Sequence, residues 1–260
     1  MRVLITGGTG ALAREIITAA HSPDITLRST SRRPFAASVA QTEWIGADLA
    51  SGDGLPNALR NVDVVIHTAS DVKRSQQVDV EGTRRLLTAA QAAGVGHVIF
   101  VSIVGIDAIP LQYYRRKRVA EREIETGPVP YSILRATQFH SLIDIGIATA
   151  ARFPMMIPLP ADFKIQSVST REVAVRLWQA VTAGPQQRLP DFVGPDIMTL
   201  GDAAREWKAA RSIVKPVMPL FIPGTIAAAF RAGMNTVATG PRGTSTWREW
   251  LAARYSATHA

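Results

Sequence analysis

The chain has 260 residues and is 47% apolar, enough for a large buried core and too much for general disorder. It contains no cysteine, which excludes a disulfide framework and any thiolate metal or redox chemistry and suits a reducing, cytoplasmic setting. Its net charge of +8, from 29 Lys and Arg against 21 Asp and Glu, is scattered in small knots with no basic arm or nucleic-acid-binding signature beside them, so nucleic acid is not an expected partner.

In chain order, the apolar run at 2–5 is stopped at once by glycines, so no leader-type apolar core is expected there. A helix is predicted over 11–20, a strand over 25–30 and a weaker strand over 42–46. A strand at 63–67 precedes a helix at 76–93, where Val80, Leu86, Leu87 and Ala90 recur at helical spacing before Gly94. A strand at 97–102, a helix at 112–126 and a strand at 131–135 complete the first half. Short apolar runs alternating with helices predict an α/β protein with a doubly wound parallel sheet of the Rossmann type. Proline clusters at 154–160 and 216–223 break the second half, where helices are predicted at 170–183, 199–211, 224–234 and 245–254. Its longest apolar stretch, at 219–230, is interrupted by Pro223 and Gly224 and falls short of the about 20 residues of a membrane span, so no membrane partner is expected. The division expected is a dinucleotide-binding domain at 1–135 and a smaller mixed α/β substrate lobe at 136–260, partly interleaved with it.

The stretch between the first strand and first helix carries the chemistry. Gly7, Gly10 and Ala13 follow a G-x-x-G-x-x-A spacing. Glycine lets the chain turn tightly and removes the Cβ that would block a pyrophosphate. The helix start then offers free N–H groups and a partial positive charge to the phosphates. Ala13 is small enough for close helix–strand packing. Gly7, Thr9, Gly10, Ala11 and Leu12 are therefore candidate cofactor contacts.

TGGTGALA at 6–13 resembles the extended and atypical short-chain dehydrogenase/reductase superfamily, and within it the NmrA-like NAD(P)H-binding proteins. The same resemblance runs through RSTSRRP at 28–34, ADL at 47–49, IHTAS at 66–70, DVEGTRRLL at 79–87, VSIVGID at 101–107, YYRRKRVAE at 113–121, ILRATQFH at 133–140 and KIQSVSTREVA at 164–174. It implies an adenine contact at Asp48 and Leu49 and a cofactor-side loop at Thr68, Ala69 and Ser70. Where an NAD-binding protein offers an acidic residue to the ribose hydroxyl, this chain has Ser31, Arg32 and Arg33. A guanidinium fork pairs with a phosphate, so NADP(H) is expected over NAD(H), with Arg32 and Arg33 as ligands.

Many short-chain reductases use a Tyr-x-x-x-Lys pair with an upstream serine. Tyr113 and Lys117 have that spacing, which sets both on one helix face. Tyr114 and Arg118 repeat it one place on, leaving the register open. The resemblance implies that Lys117 holds the nicotinamide ribose and draws the Tyr113 pKa down from about 10, so that the phenol exchanges a proton near neutrality. Ser102, eleven residues before Tyr113, is the candidate orienting serine, although Ile103 and Val104 follow where the superfamily often has a second hydroxyl. Gln138, Phe139 and His140 follow the sixth strand at its carboxyl end, where ligands bind in open α/β sheets, and are candidate substrate contacts with Gln166. Phe163 and Val168 are candidates for the facing wall, and Met155, Met156, Ile157 and Phe221 for an apolar lining. No metal site is expected. The reading is an NADP(H)-dependent oxidoreductase acting on a carbonyl, quinone or activated alkene of a small apolar molecule. Its rival is a redox sensor that binds NAD(P) without turnover and acts through a protein partner. A homodimer is compatible with the sequence.

Overall fold

A computed structural model of the chain describes residues 1–20, 24–32 and 42–256. The chain runs β1 (Arg2–Thr6), α1 (Ala11–Thr18), β2 (Thr26–Ser31), β3 (Thr42–Gly46), α2 (Leu55–Ala58), β4 (Val64–His67), a π-helical turn (Gln76–Glu81) leading into α3 (Gly82–Ala92), β5 (His97–Ile103), α4 (Gln112–Glu125) and β6 (Tyr131–Ala136). It continues through α5 (His140–Ala150), β7 (Ile157–Leu159), β8 (Lys164–Ile165), α6 (Thr170–Ala183), β9 (Gln187–Arg188), β10 (Met198–Thr199), α7 (Leu200–Ala210), β11 (Val217–Pro219), α8 (Thr225–Ala232) and α9 (Trp247–Tyr255).

Seven strands form the main sheet in the order β3-β2-β1-β4-β5-β6-β9, the doubly wound Rossmann-like arrangement expected from the alternation. β1 pairs in parallel with both β2 and β4, and β4 with β5. The strand order turns back between β1 and β4, which opens a crevice at their carboxyl ends. Val3, Leu4, Ile5, Val65, Ile66, Val98 and Ile99 are buried, as a parallel sheet covered on both faces requires. One face packs Leu4, Val65, Val98, Phe100 and Ile133 against Leu59, Leu86, Leu87, Ala120 and Ile124. Near α1, the Trp178 indole of α6 donates to the Ile16 carbonyl at 2.9 Å.

A buried ion pair fixes α4. Arg135 on β6 donates to both carboxylate oxygens of Glu121, at 2.8 and 2.6 Å. Glu121 also meets Arg118 at 3.2 Å and Arg188 at 3.7 Å, so it is the buried centre of a small cluster of guanidinium groups. The helix that carries Tyr113 and Lys117 is thus held to the sheet by geometry as well as by apolar contact.

The chain divides into two compact units: Met1–Ser102, Gln112–Arg135 and Val173–Pro190 in one, Ile103–Leu111, Ala136–Glu172 and Asp191–Ala260 in the other. The division read from the sequence at 135/136 coincides with one of the crossings, and the segments 103–111 and 173–190 are exchanged across it.

The second unit has its own core of Ile157, Leu159, Ile165, Ala203, Trp207, Trp247 and Leu251. At its centre Asp144 accepts from the Trp207 indole at 2.7 Å and the Tyr255 hydroxyl at 2.6 Å, with Arg254 at 3.2 Å. α7 and α9 each begin with a capping box, Thr199 with Asp202 and Thr246 with Glu249. The sequence pattern predicted neither α5 nor the short α2. Leu142 and Ile145 on α5 are exposed while Ile143 and Ile147 are buried, so its apolar residues form no single stripe.

Candidate active site

The crevice between β1 and β4 is built by side chains that tie the two strand ends together. Thr83 Oγ1 donates to the Asp79 carbonyl at 2.5 Å, so it accepts from His67 Nε2 at 3.0 Å. The His67 proton therefore sits on Nε2, and Nδ1 accepts from Thr6 Oγ1 at 2.8 Å. Thr6 Oγ1 in turn accepts from the Ala69 amide at 3.3 Å, and Thr68 Oγ1 donates to the Thr6 carbonyl at 2.7 Å. Burial, together with the charge on Lys117, pushes the His67 pKa down to about 3, so the imidazole is neutral. This one-directional chain holds the loop Thr68–Ser70 against the glycine loop.

Gly7 has φ +72°, and a Cβ there would lie 2.8 Å from Ala69 Cα. A side chain at Gly8 would run into Ser29 Oγ and the Trp44 ring. The Gly10 amide donates to the Gly7 carbonyl at 2.9 Å and closes the turn. Gly10 is the N-cap of α1, which has no side-chain cap and no acidic residue in its first turn. A helix start left uncapped beside a backbone stripped of Cβ atoms fits a pyrophosphate. Thr9, Gly10 and Ala11 are exposed, whereas Leu12 is buried in the core.

Asp79 lies in the π turn, is 1% exposed, and collects polar groups from three directions. Its Oδ1 accepts from Ser70 Oγ at 2.6 Å and lies 3.4 Å from Lys117 Nζ; its Oδ2 accepts from the Asp71 amide at 3.2 Å. Since the Ser70 proton goes to Asp79, the 2.8 Å contact between Ser70 Oγ and Tyr113 Oη has the tyrosine as donor. Lys117 is buried, with its ammonium 4.3 Å from the centre of the Phe100 ring, and burial lowers its pKa against the pull of Asp79.

The expectation that Lys117 draws the Tyr113 pKa down is corrected here. The Lys117 charge is matched by Asp79. Burial raises Tyr113 to about 12; the Ser70 contact lowers it, while the charge on Asp79 and Tyr114 raise it. Tyr114, in the alternative register, is buried. Ser102, at the end of β5, is 3% exposed, and its Oγ has no hydrogen-bond partner among the described residues.

The other predicted contacts fall in different places. Arg32 is exposed just after β2, and Arg33 lies outside the described residues. Asp48 turns one oxygen to the Ala50 amide at 2.9 Å. Leu49 is corrected: its side chain belongs to the apolar core, leaving only its backbone for an adenine. Sequence reasoning missed His67, Thr83 and Asp79. Their polarity reads as solvent-facing until the fold buries them, and only their place at the end of a strand and in a helix start beside it hints otherwise.

A model of the NAD(P)H-binding family matches residues 7–182, from the glycine loop to the end of α6. The chain belongs to the NAD(P)H-binding family. The protein is 30% identical over 219 residues to the (4-alkanoyl-5-oxo-2,5-dihydrofuran-3-yl)methyl phosphate reductase of Streptomyces griseus, covering 82% of this chain and 73% of that one. It is also 31% identical over 172 residues to the photosystem II assembly factor Ycf39 of Trieres chinensis, which is 62% of this chain. The chain spans about half the length of that relative, 51%. In fold, this NAD(P)H-binding protein is similar to the NADPH-dependent quinone oxidoreductase QOR2 of Escherichia coli, with a TM-score of 0.77, 20% identity and coverage of 97% and 99% of the two chains.

In the second unit, the substrate contacts proposed from sequence need correction. His140 starts α5 and is 1% exposed; its Nδ1 meets Ser167 Oγ at 2.8 Å and its Nε2 the Ser245 carbonyl at 3.1 Å. Its ring packs against Trp247 and Trp250, and burial lowers its pKa. Gln166 is equally committed: its amide nitrogen donates to the Gly194 and Val237 carbonyls and its oxygen accepts from the Val237 amide. Neither side chain has a polar atom to spare. Ile157 and Val168 are fully buried, while Met155 and Phe221 are exposed. Phe163 stacks on Phe230, and Phe139 is half-buried as the N-cap of α5. Gln138 keeps a free donor: its oxygen takes the Gln166 amide at 3.4 Å, and its buried Nε2 has no partner among the described residues. A cavity of about 390 Å³ between α7 and α9, lined in part by Glu206, Arg248 and Tyr255, touches none of these residues. Among the described residues, no cluster of His, Asp and Glu could hold a metal, and no helix is long and apolar enough to cross a membrane.

Proposed function

We propose that the protein is an NADP(H)-dependent reductase of a carbonyl, quinone or activated alkene in a small apolar molecule. The observation that carries this reading is the convergence of Tyr113 and Lys117, one turn apart on α4, on Ser70 and Asp79 beside the Thr68–Ser70 loop. The glycine loop and the uncapped start of α1 would hold the pyrophosphate, Lys117 the nicotinamide ribose, and Arg32 the 2′-phosphate that distinguishes NADP(H). When bound, the nicotinamide supplies hydride, which the protein's own side chains cannot. Tyr113 carries the proton that a reduced oxygen requires, and Ser102 offers its free hydroxyl to orient that oxygen. The Streptomyces relative, named as a (4-alkanoyl-5-oxo-2,5-dihydrofuran-3-yl)methyl phosphate reductase, supports this direction of chemistry.

A second reading, cofactor binding without turnover, is favoured by the likeness to photosystem II assembly factors. NADPH oxidation against a panel of quinones, aldehydes and enones separates the two. The first reading expects turnover with at least one acceptor class. Tight NADPH binding with no turnover on any of them would overturn it in favour of the second.

A further inference from the structure

One face of the second unit is apolar where solvent favours polar groups. β7 and β11 form a two-stranded parallel ribbon in which Val217 pairs with Ile157, Met218 with Pro158 and Pro219 with Leu159. Successive side chains of a strand point to opposite faces. Ile157 and Leu159 point inward and are buried in the core with Trp207 and Trp247. Pro158 and Met218 therefore share the outer face, which a solvated ribbon fills with polar residues. The segments at its two ends extend the apolar surface. At one end Lys215 Nζ donates to the Ala151 and Phe153 carbonyls, at 2.9 and 3.1 Å, and so holds Phe153 beside the segment that carries Val214. At the other end the Leu220 amide donates to the Leu159 carbonyl at 2.9 Å, Phe221 and Ile222 follow, and the Arg231 guanidinium lies 4.5 Å from the centre of the Phe221 ring. Met155 is 76% exposed, Phe221 77% and Val214 93%. Single exposed apolar residues are ordinary, whereas a contiguous ridge of them marks a surface that something covers.

The charge along this ridge has one sign. The sequence holds no Asp or Glu between Asp144 and Asp162, and none between Glu206 and Glu249. Those two stretches contain the whole ridge, together with Arg152, Lys208, Arg211 and Lys215. The acids that bound them are already paired, Asp144 with Arg254, Asp162 with Arg231 and Glu206 with Arg248. Arg211 is held over the Trp207 and Tyr255 rings, at 4.4 and 4.9 Å, rather than by a carboxylate. An apolar ridge among unopposed cations complements a surface that is anionic outside and apolar beneath. Pro216 and Pro219 leave β11 short of amide donors, so its free edge is a poor template for strand addition by a peptide. We propose that this ridge docks the second unit on an anionic lipid bilayer, with Met155, Met218, Phe221 and Ile222 entering the interface and Arg152, Lys208 and Arg211 meeting the headgroup phosphates. The expectation of no membrane partner rests on the lack of a span, and docking on a surface requires none. The inference goes beyond the reductase reading and does not depend on it.

The test is co-sedimentation of the full chain at low salt with vesicles of phosphatidylcholine alone or of equimolar phosphatidylcholine and phosphatidylglycerol. The anionic vesicles should bind the protein at least about tenfold more tightly, and added salt should weaken that binding. The double variant Met155→Ser with Phe221→Ser should lower the partition coefficient about tenfold, and Arg152→Glu by a similar factor. Val72→Ser, at a 65% exposed position of the first unit, should leave it unchanged. In Phe221→Trp the new indole should be quenched by brominated lipid. All these side chains are exposed, so the variants keep the fold. No binding to the anionic vesicles overturns the proposal. Binding that survives the double variant overturns it too, since a cationic protein would then be adsorbing by another face. A chain that self-associates without lipid, and that the double variant makes monomeric, puts a second copy on the ridge and overturns the lipid assignment. A raised KM for the acceptor in the double variant, with vesicle binding unchanged, assigns the ridge to substrate entry and overturns it equally.

Discussion

Asp79 and Asp144 are both nearly fully buried, at 1% and 4% exposure, and each satisfies its carboxylate with three polar neighbours. The difference lies in who those neighbours are. Asp144 is held by an indole, a phenol and a guanidinium, from Trp207, Tyr255 and Arg254, all on helices of its own unit. Asp79 is held by a serine hydroxyl, a lysine ammonium and a backbone amide, at the end of a strand and the mouth of a crevice. The first set joins helices that already pack around two tryptophans. The second set contains an ammonium and a hydroxyl that itself accepts from the Tyr113 phenol. Equal burial therefore does not imply equal surroundings: Asp144 joins helices around an apolar core, whereas Asp79 lies beside the strand ends that carry the glycine loop.

The comparison is broken most severely at Tyr113. Tyr113→Phe should leave NADPH affinity almost unchanged and reduce turnover by roughly two to four orders of magnitude, measured as kcat on the best acceptor. Asp144→Ala should do the reverse. It leaves the Trp207 and Tyr255 donors without their acceptor, so denaturant unfolding should show a loss of about 3 kcal/mol, with kcat per folded molecule preserved. A third effect comes from the histidines. His67 and His97 are depressed to about 3 and about 4, chiefly by burial, so the unfolded chain takes up their protons first as the pH falls. Their contribution is complete above about pH 6.5 and is lost on the way down toward pH 4 and 3, with a slope of up to about 1.4 kcal/mol per pH unit for each ring. His67→Gln should flatten that slope in urea titrations at pH 4–7. The smallest effect is expected at Arg32, which is exposed. Arg32→Asp should weaken NADP(H) about tenfold more than NAD(H), and equal losses in calorimetry would remove Arg32 from the 2′-phosphate site.

The first half of the fold was legible because its strands are short apolar runs and its helices carry clean stripes, so β1 to β6 and α4 fall within a residue or two of the pattern, whereas the helix expected over 76–93 starts as a π turn and becomes α3 only at Gly82. Legibility failed where burial was unrelated to polarity. Leu142 and Ile145 face outward on α5 and hide its periodicity, and the two-residue strands β8 to β10 are too short to show any. In the site, the glycine loop and the Tyr113–Lys117 spacing could be seen because local geometry requires them. The competition between Tyr113 and Tyr114 could not be resolved by spacing, since both have a cation four residues on. Asp79 was invisible for a different reason: a charged residue in a helical pattern reads as surface, and only the π turn and the strand ends around it make it interior. His140 and Gln166 were misread in the opposite sense, as polar groups open to a ligand when each is already consumed by its neighbours.

The chain passes between its two units at 102/103, 111/112, 135/136, 172/173 and 190/191. β9 enters the main sheet only after residue 186, beside β6. The first 135 residues carry β1 to β5 and nearly all of β6 but not β9, the partner of β6 at the sheet edge. Until β9 emerges, β6 presents a row of unpaired amides and carbonyls, the feature that invites pairing with another chain. Neither unit can be obtained by cutting the polypeptide once. A fragment ending near 135 lacks β9, the partner of Ser132 and Ile133 on β6, and should aggregate more readily than the full chain.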